Sequence, residues 1–118
     1  MVSSHSIGIK GEELALSFLL GLGYHLLERN YRCRFGEVDL IMQDGDEIVF
    51  IEVKTRRCTN FGAPQEAVGT AKQVKIRKLA AQYMMYKRKE EYQPRFDVIA
   101  IRIDRAGNHS IDHFKNAF

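Results

Sequence analysis

The sequence contains no tryptophan, only two prolines and only two cysteines in 118 residues. Cys33 and Cys58 are too few for a disulfide scaffold, and they lack the close-paired spacing of a zinc site. A reduced, cytoplasmic protein is therefore expected. No apolar run reaches the ~20 residues that a membrane span needs. The most apolar stretch, Leu14 to Leu27, is broken by Gly21, Gly23 and His25. No basic segment and small-residue cleavage site frame it, so neither a membrane partner nor a signal peptide is expected. Internal repeats, linkers and low-complexity tracts are absent as well. His5, His25, His109 and His113 are scattered, with no pair at metal-ligand spacing on a predicted helix. Nor is there a glycine-rich phosphate loop or a Ser-His-Asp order.

What remains is ordinary globular composition: 45% hydrophobic and 28% charged residues. The length suits a single domain over residues 1–118. A net charge of +3 gives a mild bias toward polyanions.

Hydrophobic periodicity predicts a helix from Gly8 to Leu22, with Ala15, Leu16, Phe18, Leu19 and Leu22 on its apolar side. Ser6 is its expected N-cap and Gly23 its stop. Tyr24 to Tyr31 reads as a short strand ending in an asparagine turn. Glu37 to Gln43 and Glu47 to Arg56 read as strands joined by a turn at Asp44-Gly45-Asp46, and Arg57 to Pro64 as a loop. Thr70 and Gln73 have capping-box spacing and open a helix to about Lys89. Its buried stripe is Val74, Ile76, Leu79, Ala80, Tyr83 and Met84. Phe96 to Asp104 alternates as a strand, and His109 to Phe114 returns as an edge strand. The order α-β-β-β-α-β-β predicts an α/β fold with a mixed central sheet of about five strands, flanked by helices.

The hairpin carries the chemistry. Side chains on a strand alternate faces, so Glu52 and Lys54 share one face and Val49, Ile51 and Val53 the other. A two-residue turn at Gly45-Asp46 pairs Asp44 with Glu47. Counting outward, it sets Asp39 opposite Glu52 and Glu37 opposite Lys54. Two carboxylates about 5 Å apart repel by roughly 3 kcal/mol at an effective dielectric near 20. Such a pair persists when one acid takes up a proton, when the lysine neutralises it, or when a cation lies between. Oxygen ligands on a rigid frame suit Mg²⁺ or Mn²⁺. A metal held by Asp39 and Glu52 with Lys54 beside it is competent for phosphodiester hydrolysis. On spacing alone, the same residues also read as a cross-strand salt-bridge cluster on a solvated face.

The arrangement Asp39, twelve residues of strand-turn-strand, then Glu52-Val53-Lys54 resembles the PD-(D/E)xK signature of the restriction-endonuclease-like fold. The flanking residues are more specific. They are Gly11-Glu12 with Ala15, Arg29-Asn30-Tyr31, Gly36-Glu37-Val38-Asp39-Leu40-Ile41 and Phe50-Ile51-Glu52-Val53-Lys54-Thr55-Arg56. After these come Phe61-Gly62, Lys72-Gln73 and Arg95-Phe96-Asp97-Val98. In that order they resemble the bacterial YraN-like family of small endonuclease-like proteins, over roughly residues 8 to 104. A more distant similarity is to archaeal Holliday-junction resolvases. Val38 stands where many members of the superfamily carry the signature's proline.

The resemblance implies a nuclease with Asp39, Glu52 and the backbone carbonyl of Val53 as ligands of Mg²⁺ or Mn²⁺. It implies Lys54 as the catalytic lysine and Glu12 as a residue reaching the metal or its water. Periodicity alone does not choose between Glu12 and Glu13. Glu37 is either a further acid or a partner of Lys54, and is assigned a supporting role. Gln73 resembles a helix glutamine that some superfamily members set near the site.

Lys72 to Lys89 holds seven Lys or Arg and no acid. This is either a solvated face or a phosphate-contacting surface. The expected nucleic-acid contacts are Arg56, Arg57, Lys72, Gln73 and Lys75, with DNA, including branched DNA, as partner. A binding module without hydrolysis, and a protein-interaction subunit of a larger repair or recombination assembly, are the rival readings. A homodimer would supply two sites for two strands, and Phe114 and Phe118 are the only hint of an interface.

Overall fold

The computed structural model describes residues 4–57 and 68–118, with side chains from residue 8 onward. Cys58, Phe61-Gly62, most of the predicted loop at 57–64 and the side chain of Ser6 lie outside the described residues. The elements are α1 (Ser4–Gly21), β1 (His25–Cys33), β2 (Gly36–Asp44), β3 (Glu47–Arg57), α2 (Thr70–Tyr86), β4 (Gln93–Ile103) and β5 (His109–Phe114). They build one five-stranded sheet in the order β1-β2-β3-β4-β5. Every neighbouring pair is antiparallel except β3 and β4, which run parallel through eleven paired positions. Parallel neighbours need a crossover, and the segment carrying α2 provides it. The fold is thus the expected mixed α/β one, consistent with a restriction-endonuclease-like domain.

The two helices cover opposite faces. Ala15, Leu16 and Leu19 of α1 pack with Leu40, Met42, Val49, Ile51, Ile99 and Ile101. Ile76, Leu79, Ala80, Tyr83 and Met84 of α2 pack with Val38, Ile41, Ile48, Phe50 and Phe96. Alternation along β3 sends Val49 and Ile51 to one cluster and Ile48 and Phe50 to the other. β4 is sandwiched by both, so Phe96 to Ile101 are all buried.

Helix ends follow their backbone hydrogen bonds. Tyr24 N–H donates to the Leu19 carbonyl and Gly23 N–H to Leu20, with Gly23 at φ 94°. This is a Schellman stop, and it seats Tyr24 back against Leu19 in the core. Gly23 therefore stops the helix as expected. Ser6 lies inside the helix, not at its cap.

At α2 the N-cap is Gly69, with no side-chain cap, and Thr70 is the first helical residue. The Gln73 amide donates to the Val68 carbonyl at 2.9 Å, so no capping box forms. Val74 (45% exposed) and Leu22 (52%) lie outside the core stripes. The helix ends at Tyr86, short of Lys89, because Lys89 N–H donates to Met84 and Arg88 N–H to Met85 in a closing turn. Asn30 makes no turn: it sits at φ 50° within a β1 that runs on to Cys33.

The hairpin end of the sheet is tied by a buried ion network. Arg95 donates through Nε to Asp97 Oδ1 at 3.0 Å and through Nη2 to Asp97 Oδ2 at 2.9 Å. It also reaches Asp44 at 2.9 Å, Glu47 at 2.8 Å and the Tyr24 hydroxyl at 2.6 Å. Asp97, fully buried, further accepts from Asn116 N–H and pairs with His113 Nε2 at 2.7 Å. Burial opposes the Asp97 charge, but His113 and Arg95 outweigh it and hold the carboxyl below its usual range. Asp44 is held low by Arg95. Next to this network, Phe118 stacks on Phe96 at 5.3 Å with Arg77 over its ring. Phe118 is thus engaged within its own chain.

Candidate active site at a fork in the sheet

The hairpin takes the register that its turn dictates. Gly45 adopts φ 59°, and Asp44↔Glu47 through Leu40↔Ile51 pair as expected. The ladder then stops one pair short of Asp39 and Glu52. Beyond this point β2 stays paired with β1 down to Cys33↔Gly36, while β3 stays paired with β4 to Arg57↔Ile103. The two middle strands part, and a fork opens between them.

Local features mark the point of divergence. The Asp39 carboxylate accepts the Val53 backbone N–H at 2.7 Å, replacing a strand-to-strand bond with a side-chain one. Val38 packs in the α2 cluster and Leu40 in the α1 cluster, so β2 loses strict alternation at Asp39. Asn30 lies between Arg29↔Leu40 and Tyr31↔Val38, opposite Asp39, in its left-handed conformation. The physical reason is the one that made the pairing improbable. Two ladder-opposed carboxylates would repel, whereas Asp39 in the fork gains an N–H donor.

Groups from both helix layers act on this gap. From one side comes Glu12 of α1. Gly11 makes that approach feasible, since a Cβ there would lie 1.8 Å from Thr55 Oγ1 of β3. Asn30 hydrogen-bonds the Glu12 side chain. From the other side comes Lys72 of α2, whose Nζ is 2.6 Å from Glu52 Oε2. Glu52 itself is only 3% exposed.

The electrostatics are those of crowded acids. Burial pushes the Asp39 carboxyl above its usual range, against the Val53 N–H, Lys72 and Lys54, which pull it down. Burial and then the Asp39 charge raise Glu52, opposed by Lys72 and Lys54. Burial and the Asp39 charge also raise Glu12. Burial works against the Lys72 charge, but Glu52 and Asp39 outweigh it and hold the ammonium above its usual range.

The structure thus brings together Asp39, Glu52, Glu12 and Lys72, with Lys54 close enough to act on both central acids. Val53 donates into the fork, and in an extended strand its carbonyl points to that same side. Glu37 does not face Lys54: the ladder ends before them, and Glu37 pairs with exposed Arg32 at 2.8 Å. Its charge still bears on Asp39 and Lys72. Gln73 turns to the Val68 carbonyl. Arg56 and Arg57 are exposed at the end of β3, and exposed Lys75 borders Gly36 at the start of β2.

Two contacts are not legible in the sequence. Lys72 reads there as a phosphate contact and not as a partner of Glu52, and Asn30 reads as a turn within the Arg29-Asn30-Tyr31 motif and not as a partner of Glu12. Their pairing depends on how α2 and α1 lie across the sheet.

Among the described residues, no three His, Cys, Asp or Glu side chains form a complete metal centre by themselves. Asp39, Glu52 and the Val53 carbonyl are the two acids and one carbonyl that could serve as donors at the fork. That matches a hard cation that takes one or two carboxylates and fills its other positions with water and phosphate oxygens. Among the described residues, no helix is long and apolar enough to cross a membrane.

Comparison with known proteins adds family context. Residues 11–101 match the model of "Uncharacterised protein family UPF0102". A UPF0102 protein of Syntrophus aciditrophicus is 47% identical over all of this chain and 92% of its own length. One from Caldanaerobacter subterraneus subsp. tengcongensis is 42% identical over 99% of this chain and 98% of its own. One from Rhodococcus opacus is 42% identical over the full length of both.

Proposed function

The chain belongs to the UPF0102, YraN-like family, and from that premise and the fork we propose that it is a divalent-metal-dependent nuclease acting on DNA. The observation that carries the reading is the pair Asp39 and Glu52, two acids raised by burial in a gap between strands. Acids kept charged at such a position need cations, and perturbed carboxylates gathered in a cleft mark functional sites.

Asp39, Glu52 and the Val53 carbonyl would hold Mg²⁺ or Mn²⁺. The bound ion would polarise a phosphate and make water a better nucleophile near neutral pH. Lys54, on the same strand face as Glu52, orients the attacking water and offsets charge developing on the phosphate. Glu12, with its raised proton affinity, is suited to accept a proton from that water. Exposed Lys75, Arg56 and Arg57 flank the fork and would position the nucleic-acid backbone without reading its sequence.

The test is cleavage of branched, single-stranded and duplex DNA, with RNA as comparison, in Mg²⁺ or Mn²⁺. Asp39→Ala and Lys54→Ala should each reduce the rate by about 10²-fold or more, the scale of losing one electrostatic stabiliser. Variants that cut as fast as wild type would remove the site. Salt-dependent DNA binding without any cleavage would instead favour a binding module of the same fold.

A further inference from the structure

Lys72 stands in an unusual place for a nucleic-acid-contacting lysine. It lies in the first turn of α2, where the helix dipole disfavours a cation. No acid lies in that turn, and Gly69 supplies no side-chain cap to offset it. Its ammonium instead sits 2.6 Å from the buried Glu52 and acts on Asp39 as well. Half-exposed, on a flexible four-carbon stem, it also has a route to water.

Charge counting sharpens the point. Asp39, Glu52 and Glu12 bring three acids to the fork, and the Glu37 charge also bears on it, against the two cations Lys54 and Lys72. Lys72 already holds Glu52, so a divalent cation entering there competes with it for that carboxylate. Lys54 is fixed to the same strand as Glu52. Lys72 comes from another element and can withdraw.

Building on the nuclease reading, we propose that Lys72 is an exchangeable counter-ion of the fork. It neutralises Glu52 in the metal-free protein and gives up that carboxylate on metal loading, which frees its ammonium for the phosphate backbone. Lys72 is thus a positioning residue that sets metal affinity, not a metal ligand.

The experiment is calorimetric titration of the full chain with MnCl₂, without nucleic acid, for wild type, Lys72→Met and Lys72→Arg, with Asp39→Asn as reference. Removing a competing cation should make Lys72→Met bind Mn²⁺ about tenfold tighter or more. Lys72→Arg, which keeps the charge, should stay within about threefold of wild type. Asp39-dependent binding that Lys72→Met leaves unchanged or weakens would overturn the exchange and leave the metal site standing. Absence of Asp39-dependent binding in all proteins would overturn both. Should Lys72→Met fail to fold, the wild-type protein gives the answer through NMR of its lysine ammonium groups. The Lys72 signal, assigned through Lys72→Arg, should shift or vanish on adding Mg²⁺, and an unmoved signal alongside Mg²⁺ binding would overturn the exchange.

Discussion

Asp97 and Glu52 lie on adjacent central strands and are both nearly excluded from water, yet their surroundings treat them in opposite ways. Asp97 is satisfied on all sides: Arg95 grips both its oxygens, and His113 and Asn116 add further bonds. Its carboxyl is held low, as is that of Asp44 in the same network. At the fork, Glu52 has Lys72, but Asp39 repels it, and both carboxyls stay raised. One end of the hairpin is arranged for rigidity. The other end keeps unrelieved charge, which is costly for stability and useful for binding a cation.

The contrast yields three expectations, all read from chemical denaturation curves. The largest concerns the closed network. Asp97→Ala leaves Arg95 and His113 buried without their shared partner and should destabilise by about 3–5 kcal/mol. A loss below about 1 kcal/mol would mean that the network does not lock this end of the sheet.

The second has the opposite sign. Asp39→Asn keeps an oxygen for the Val53 N–H while removing the repelling charge, so it should stabilise by about 0.5–2 kcal/mol at pH 7. The pH course follows from the raised carboxyl. A raised folded value means that the Asp39 contribution is favourable below its unfolded value near 3.9 and is lost as pH rises through the folded value. The gap between variant and wild type should therefore open with rising pH and close below about pH 4. Asp97 and Asp44 behave conversely. Their contribution is present above the usual carboxylate value and is lost as pH falls through their lowered ones. The smallest expectation is Glu37→Gln. Its pair with Arg32 is exposed, so the change should stay within about 0.2–1 kcal/mol.

The hairpin register was readable from sequence because it is local. Gly45 fixes the turn, and strand periodicity does the rest, so Asp44↔Glu47 and its neighbours pair as counted. The fork was not readable, since it depends on the Asp39 side chain capturing a backbone donor fourteen residues away. The sequence places Lys72 on its helix but does not display its pair with Glu52, because that contact is set by how α2 crosses the sheet. Thr70 and Gln73 had the spacing of a cap. That motif lost to the Val68 carbonyl, which the sequence pattern does not display. The Arg95-Phe96-Asp97 stretch stands out in the sequence only as part of a family pattern. Its partners Tyr24, Asp44, Glu47 and His113 come from four other segments, and no single window of sequence contains them.

The turn at Gly45 lies five residues from the fork, yet it decides which side of the sheet Glu52 looks toward. A slip of one residue with the two-residue turn kept would rotate every later side chain of β3 by half a revolution relative to β2. Phe50 would then confront the first helix, and the acid would be carried away from α2. A loop open to solvent thus sets the register of the strand that follows it.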